Sequence, residues 1–132
     1  MKGLGTSATK SLQKGSKVKV DDNSGAKKIQ VVSKEGEGTR RRRRPQIGIA
    51  EIFKASVIEG NIDMRRELVR AILIRQKKEF KRPDGKRIEF EDNAAVLIDE
   101  KGDPVGTEIK GVVAKEVGER MPKVATIAKN VV

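Results

Sequence analysis

Residues 68–98 decide the fold of this chain, and they read LVRAILIRQKKEFKRPDGKRIEFEDNAAVLI. Both ends of the stretch are apolar and its middle is basic. Arg82-Pro83-Asp84-Gly85 is typical of a tight turn, because proline presets φ and glycine accepts the positive φ that closes a hairpin. The stretch therefore predicts a long β-ribbon whose apolar inner half joins the core and whose basic outer half projects past it. The inner half contains Leu68, Ile72, Ile74, Val96 and Ile98.

The chain as a whole is rich in β-branched residues. Val and Ile number 26 against 5 Leu, and β-branched side chains suit a pleated, half-buried surface. Short strands separated by turns in a small chain predict a mainly β fold, a small closed barrel without sheet edges. A helix is predicted over 112–118, and 121–127 is predicted to be extended because Pro122 ends any helix before it. The predicted strands are 16–20, 27–32, 46–58, 68–81, 86–92 and 95–98.

Two basic segments have little capacity to pack into a core. Residues 1–15 are rich in Gly, Ser, Thr and Lys, which predicts a flexible tail. Residues 35–44 end in the five consecutive arginines 40–44 and predict a protruding loop. We expect the remaining residues, 16–132, to form one domain, with a C-terminal helical portion over 111–132.

The charge distribution predicts a polyanionic partner. The chain of 132 residues has 30 Lys and Arg against 19 Asp and Glu, a net charge of +11. The positive charge is concentrated in the tail, the arginine loop and the ribbon, whereas 88–108 holds seven acids and one lysine. With three Phe and no Tyr or Trp, base stacking is disfavoured. Contact with folded RNA through phosphates, 2′-hydroxyls and shape fits better.

The missing residue types exclude several kinds of enzyme and metal site. There is no His or Cys, which removes Ser–His–Asp triads, cysteine nucleophiles and Cys/His metal sites. The sequence also lacks a phosphate-binding G-x-x-x-x-G-K-[ST] motif, a secretory signal and an apolar run long enough to span a membrane. We therefore expect a soluble cytoplasmic protein that is not an enzyme and needs no cofactor or membrane.

Two acidic groups call for separate interpretation. Glu89, Glu91 and Asp92 form a cluster suited to acid–base chemistry, but ion pairing across the ribbon to its lysines explains them more simply. The segment 21–25 (DDNSG) lacks the further ligands of a calcium loop and is interpreted as a turn. The acidic stretch 88–108 either neutralises the ribbon or receives a basic neighbouring protein.

Four stretches taken together resemble one family. They are DNSGAK at 22–27, RPDG at 82–85, FEDNAAVLI at 90–98, and GT at 106–107 followed by GVVAKE at 111–116. In this order and spacing they closely resemble the universal large-subunit ribosomal protein fourteen family, over about residues 16–132. The lysine-rich tail is more similar to the archaeal and eukaryotic branch than to the bacterial one.

This resemblance implies both a fold and a role. It implies a five-stranded barrel with a projecting ribbon and short C-terminal helices. It further implies a protein that binds large-subunit rRNA and contributes to bridges with small-subunit rRNA. Its implied neighbours are large-subunit proteins three and twenty-four-e, with an anti-association factor as a possible further partner. A free regulatory protein that binds nucleic acids broadly is the alternative.

The basic segments and the resemblance together give two sets of candidate residues. Gly106, Thr107 and Lys115 are expected at the bridge and partner surface, although Gly106 is equally well an ordinary turn glycine. Glu108 and Val112 depart from the bacterial pattern of a basic residue and a proline there. The expected rRNA contacts are Lys17, Lys19, Asn23, Lys27, Arg40, Arg41, Arg42, Arg43, Arg44, Arg75, Lys77, Lys78, Lys81, Arg82, Lys86 and Arg87.

Overall fold

A computed structural model describes residues 10–35 and 46–132. Strands account for most of its regular structure, and two short helices lie near the C-terminal end. In chain order the elements are β1 (Lys17–Val20), β2 (Ala26–Lys34), β3 (Ile52–Gly60), β4 (Leu68–Arg75), β5 (Phe80–Lys81), β6 (Arg87–Ile88), β7 (Ala94–Ile98), β8 (Ile109–Val113), α1 (Lys115–Arg120), α2 (Pro122–Thr126) and β9 (Ala128–Val131).

Five strands form the predicted closed barrel, in the order β1-β2-β3-β4-β7. Neighbouring strands are antiparallel except β1 and β7, which run parallel and close the barrel where Lys19 pairs with Ala94. Alternate residues point inward, as the two-residue period of a strand requires. Phe53, Ala55 and Val57 of β3, for example, are buried in the barrel interior.

A second core lies on the outside of the barrel. Ile72 and Ile74 of β4 and Val96 of β7 point outward, yet they are fully buried. They pack with apolar residues of the C-terminal portion, including Val113, Val117 and Val124. Strand β4 is therefore buried on both faces over its second half, which explains its continuous apolar sequence.

The C-terminal portion differs from the sequence prediction. The helix expected over 112–118 begins only at Lys115, because residues 109–113 form β8, which pairs in parallel with β9. The segment 121–127 is not extended, since Pro122 begins α2 instead of ending a helix. Proline is well suited to a first helical position, where its fixed φ is helical and its missing N–H has no partner to lose.

The outer half of the ribbon also differs from the prediction. Pairing of β4 with β7 ends where Arg75 meets Ala94, and beyond it β5 and β6 have only two residues each. Phe80 is buried in the second core, so this outer hairpin packs against the C-terminal portion. The predicted turn is present: the Gly85 N–H donates to the Arg82 carbonyl, and Gly85 has a φ of +91°.

The beginning of the described chain is more ordered than a flexible tail over 1–15 implies. Leu12 is buried in the barrel core, and its backbone exchanges hydrogen bonds with Ile47. The strand predicted over 46–58 starts only at Ile52, after a turn in which the Glu51 carboxylate accepts a hydrogen bond from the Gly48 N–H. The tail residues 1–9 lie outside the described residues.

An ion pair between Arg82 and Glu116 joins the outer hairpin to α1, and its loss should destabilise the fold. Both side chains are buried, and Arg82 Nε donates to Glu116 Oε1 over 2.6 Å. We expect Glu116→Ala to lower the free energy of unfolding by about 3 kcal/mol, because the arginine is left buried without its carboxylate. Chemical denaturation measures this change.

The control is Glu79→Ala, which removes the exposed partner of Arg87, 3.4 Å away. An exposed pair contributes little, so this variant should lose at most about 0.5 kcal/mol. Equal losses in the two variants would contradict the role given to Glu116.

Candidate nucleic-acid interface

The outer surface of β1 and β2 is a basic face, here called the lysine face and defined as Lys17, Lys19, Lys27 and Lys28. Lys17 and Lys19 alternate with the buried Val18 and Val20, so both point outward. Lys19 lies directly opposite Lys28 across the two strands. Like charges in opposed positions repel one another, and a bound polyanion relieves that repulsion. Sequence reasoning identified all of these residues except Lys28.

Lys19 is partly compensated within the chain. Its ammonium lies 3.5 Å from Asp21 and 4.0 Å from Asp92, at the base of the outer hairpin. Sixty per cent of the Lys19 side chain remains exposed. The lysine face therefore adjoins the base of the hairpin and stays open to a ligand.

The outer hairpin carries a second basic surface, here called the hairpin cations. All five of its members are exposed, and only Arg87 has a carboxylate partner within salt-bridge distance, counting described residues alone. These side chains retain the position that the sequence predicted for them, outside the core. They are Lys77, Lys78, Lys81, Lys86 and Arg87.

Arg75 does not belong to this surface, contrary to the sequence prediction. Only 7% of the residue is exposed. Its Nε donates to Asp92 and its Nη1 to Asp21, each over 2.6 Å, and Nη1 also reaches the Val112 carbonyl. The hydrogen bond from Arg75 is the main cause that lowers the pKa of Asp92, and the same bond raises the pKa of Arg75. The Arg75 guanidinium is thus paired with carboxylates inside the fold.

Gly111 is required beside this network. A Cβ at this position would overlap Asp21 Oδ2 and Arg75 Nη1. The absence of a side chain lets β8 approach the ion pair closely, as glycine permits. Gly111, the first residue of the GVVAKE stretch, thus has a packing reason.

Arg82 is the second predicted RNA contact that the structure buries. It is 8% exposed, and its guanidinium lies 5.8 Å from the Phe80 ring centroid. Besides the pair with Glu116, Nη2 donates to the Val132 carbonyl over 2.7 Å. The sequence around Arg82 is as basic as that of its exposed neighbours, so nothing local marked it as internal.

Asn23, a predicted rRNA contact, is hydrogen-bonded to Thr107, which the sequence analysis assigns to the bridge and partner surface. Its Oδ1 accepts hydrogen bonds from the N–H groups of Thr107, over 2.8 Å, and Glu108, over 3.2 Å. Its Nδ2 donates to Thr107 Oγ1 over 2.8 Å. A Cβ on Gly106, which is buried, would lie 2.7 Å from Asn23 Oδ1. The Asn23 side chain therefore fixes the 106–108 loop, and of the pair Gly106 and Thr107 only Thr107 is exposed.

Lys115 occupies a different place from Thr107. It is exposed at the start of α1, and it lies near Asp84 in the hairpin turn, where it helps to lower the pKa of Asp84 after the larger effect of the Lys86 N–H. Glu108 pairs with Lys129, and this partner lowers the pKa of Glu108. Gly106 and Thr107 thus adjoin Asn23, whereas the charge of Lys115 acts on Asp84 of the hairpin turn.

The described ranges 10–35 and 46–132 hold no group of three acidic side chains arranged for a metal ion, and no helix there is long and apolar enough to cross a membrane. Phe53 and Phe80 are buried, and the half-buried Phe90 stacks on Phe80 with ring centroids 6.4 Å apart. Two of the three aromatic rings are thus committed to the core. The predicted contacts Arg40, Arg41, Arg42, Arg43 and Arg44 lie outside the described residues.

A small closed barrel with a basic outer face and exposed hairpin cations defines the class of basic β-barrel proteins whose surface complements a polyanion. The chain belongs to the family described as ribosomal protein L14p/L23e, whose model matches residues 11–132. This confirms the resemblance and the expectation that the chain is not an enzyme, since the family is structural.

Curated relatives agree over the full length of the chain. It is 51% identical to the large ribosomal subunit protein uL14 of Methanospirillum hungatei over 132 residues, which is all of both chains. It is 49% identical to the protein of the same name from Methanocorpusculum labreanum over 128 residues, 97% of each chain. For the Haloarcula marismortui protein the identity is 43% over 132 residues, again all of both chains. The similarity to archaeal sequences agrees with the interpretation of the N-terminal lysines.

The geometry of Asn23 predicts that it positions the 106–108 loop. Asn23→Ala removes three hydrogen bonds, each with a net contribution of about 0.5–1.5 kcal/mol. We expect the backbone amides of Thr107 and Glu108 to exchange with solvent faster in this variant, as measured by hydrogen exchange. Lys27→Ala, near the start of β2 just after this turn, is the control and should leave both amides unchanged. Unaltered exchange in Asn23→Ala would show that the loop is held by other groups.

Proposed function

We propose that the chain is a structural constituent of the large subunit of the cytoplasmic ribosome, where it binds large-subunit rRNA and contributes to bridges with small-subunit rRNA. Family membership and relatives named as large ribosomal subunit proteins support the ribosomal role. The lysine face carries the proposal of rRNA binding, because Lys19 and Lys28 lie opposite one another and a polyanion would relieve the repulsion between these like charges.

The mode of binding follows from which cations remain exposed. The lysine face and the hairpin cations offer ammonium and guanidinium groups to phosphate oxygens on two separate elements. Such contacts position a protein on RNA without reading its bases. Since Phe53 and Phe80 are buried, the proposed recognition is of a folded RNA surface through its phosphates, 2′-hydroxyls and shape.

The partner surface is proposed at the 106–108 loop and at α1. Thr107 is exposed and held in place by Asn23, and Lys115 is exposed at the start of α1. A rigid exposed loop suits a contact that must form repeatedly when subunits join. The proposed partners at these two places are small-subunit rRNA, large-subunit proteins three and twenty-four-e, and an anti-association factor.

Sedimentation of a cell extract through a gradient in high salt tests the ribosomal role. We expect the chain to remain with the large subunit, because many phosphate and shape contacts act together. The free small subunit in the same gradient serves as the control. Release of the chain to the top of the gradient would contradict a core ribosomal role and favour a general nucleic-acid binder.

The arginines 40–44 are proposed to extend the phosphate-binding surface. Replacing all five with Ser should weaken binding to large-subunit rRNA and flatten its salt dependence, by about 0.7–0.9 in slope for each phosphate that is no longer neutralised. Filter binding across a salt series measures the slope. The free energy of unfolding should not change, because the sequence of this loop has no residues to contribute to the core.

The matched control replaces Lys54, Lys101, Lys110, Lys123 and Lys129 with Ser, which removes the same charge at exposed positions outside the tail and the proposed RNA contacts. Its slope should fall less than that of the arginine variant. An arginine variant with an unchanged slope would remove these residues from the proposed surface.

A further inference from the structure

Within residues 10–35 and 46–132, the C-terminal portion covers one half of the outer face formed by β3, β4 and β7. On β3, β4 and β7, the cross-strand row formed by Lys54, Arg70 and Ile98 points outward. The next outward-pointing row, which contains Ile72, lies beneath the C-terminal portion. On the other side of Arg70 the barrel surface opens into a groove of about 720 Å³. The covered half shows that this face of the barrel is built for apolar packing.

Part of the groove lining is apolar and accessible. Leu68 is 64% exposed and Val105 is 50% exposed, and both belong to the few large apolar side chains exposed in the described chain. Met64 and Val69 line the groove beside them. Exposed apolar side chains that adjoin one another in a concave surface are typical of a binding site.

Most of the charged side chains that line the groove are acidic, although the chain as a whole is strongly basic. Four carboxylates line the groove against two cations. Of the cations, Arg70 already donates to both carboxylate oxygens of Glu35 over 2.8 Å and to the Asp99 carbonyl over 2.9 Å. The carboxylates are those of Glu35, Glu67, Asp99 and Glu100.

We propose that this groove binds a basic segment of another protein, one that alternates Lys or Arg with aliphatic side chains. The aliphatic groups would cover Leu68 and Val105, and the cations would meet Glu67 and Glu100. Phosphates would be repelled by the same carboxylates, so the charge distinguishes this surface from the lysine face. The acidic stretch of the sequence thereby receives a basic protein partner, and the inference stands apart from the proposed RNA contacts.

Peptide binding to the purified full-length chain tests the proposal. The probe is a fluorescent ten-residue peptide of alternating Lys and Val, and its binding is followed by anisotropy at physiological salt. Glu67→Lys/Glu100→Lys and, separately, Leu68→Ser/Val105→Ser should each weaken binding by about tenfold, because the first removes ion pairs and the second removes apolar packing. All four side chains are exposed, so both variants should fold, which thermal unfolding checks.

Glu79→Lys/Glu119→Lys is the matched control, because it makes the same change in net charge at exposed sites that do not line the groove. It should alter the affinity by less than about twofold. A control that weakens binding as much as Glu67→Lys/Glu100→Lys would overturn the proposal. So would equal binding of a Lys–Ser peptide, which has the charge without the aliphatic groups.

A cross-linking measurement separates the possible occupants. The chain has no cysteine, so Leu68→Cys accepts a maleimide photo-cross-linker at that position alone. With the Lys–Val peptide and an rRNA fragment both present, we expect cross-links to the peptide. Cross-links to the RNA, or to a second copy of the chain, would overturn the assignment of the groove to a basic protein segment.

Discussion

The structure depends on one buried cation, Arg75, held between two carboxylates from distant parts of the chain. Asp21 follows β1 and Asp92 precedes β7, so the guanidinium joins the two strands that close the barrel. Its bond to the Val112 carbonyl adds β8, which brings the C-terminal portion against the barrel wall. Burying the Arg75 guanidinium without these carboxylates would carry a large desolvation penalty. The penalty disfavours any packing of the strands in which these groups do not meet.

The positive charge of the chain therefore serves two purposes. Arg75 and Arg82 are neutralised inside the molecule by Asp21, Asp92 and Glu116. The lysine face and the hairpin cations are left to the solvent, with Lys19 and Lys28 opposed. Several acids neutralise the two buried arginines or line the groove. The surface proposed to bind RNA is therefore more positive than the net charge alone suggests.

Local patterns predicted the barrel, the Arg82–Gly85 turn and the exposure of the lysines, because the two-residue strand period and turn chemistry are short-range properties. The burial of Arg75 could not be predicted. It depends on an irregularity in the pairing of β4 with β7 next to Leu73, which leaves both Ile74 and Arg75 buried. Pro122 was misinterpreted because a proline that ends one helix can equally begin the next, and only the packing of Val124 decides between them.

The parallel pairing of β1 with β7 has a consequence for biosynthesis. Lys19 meets Ala94 across the closing seam, so the barrel stays open until the ribosome has released most of the chain. Contacts between such distant residues slow folding, and until then the unpaired strand edges resemble those on which aggregation begins. Early capture by the proposed RNA partner or by a chaperone would shield those edges until β7 has been synthesised and closes the barrel.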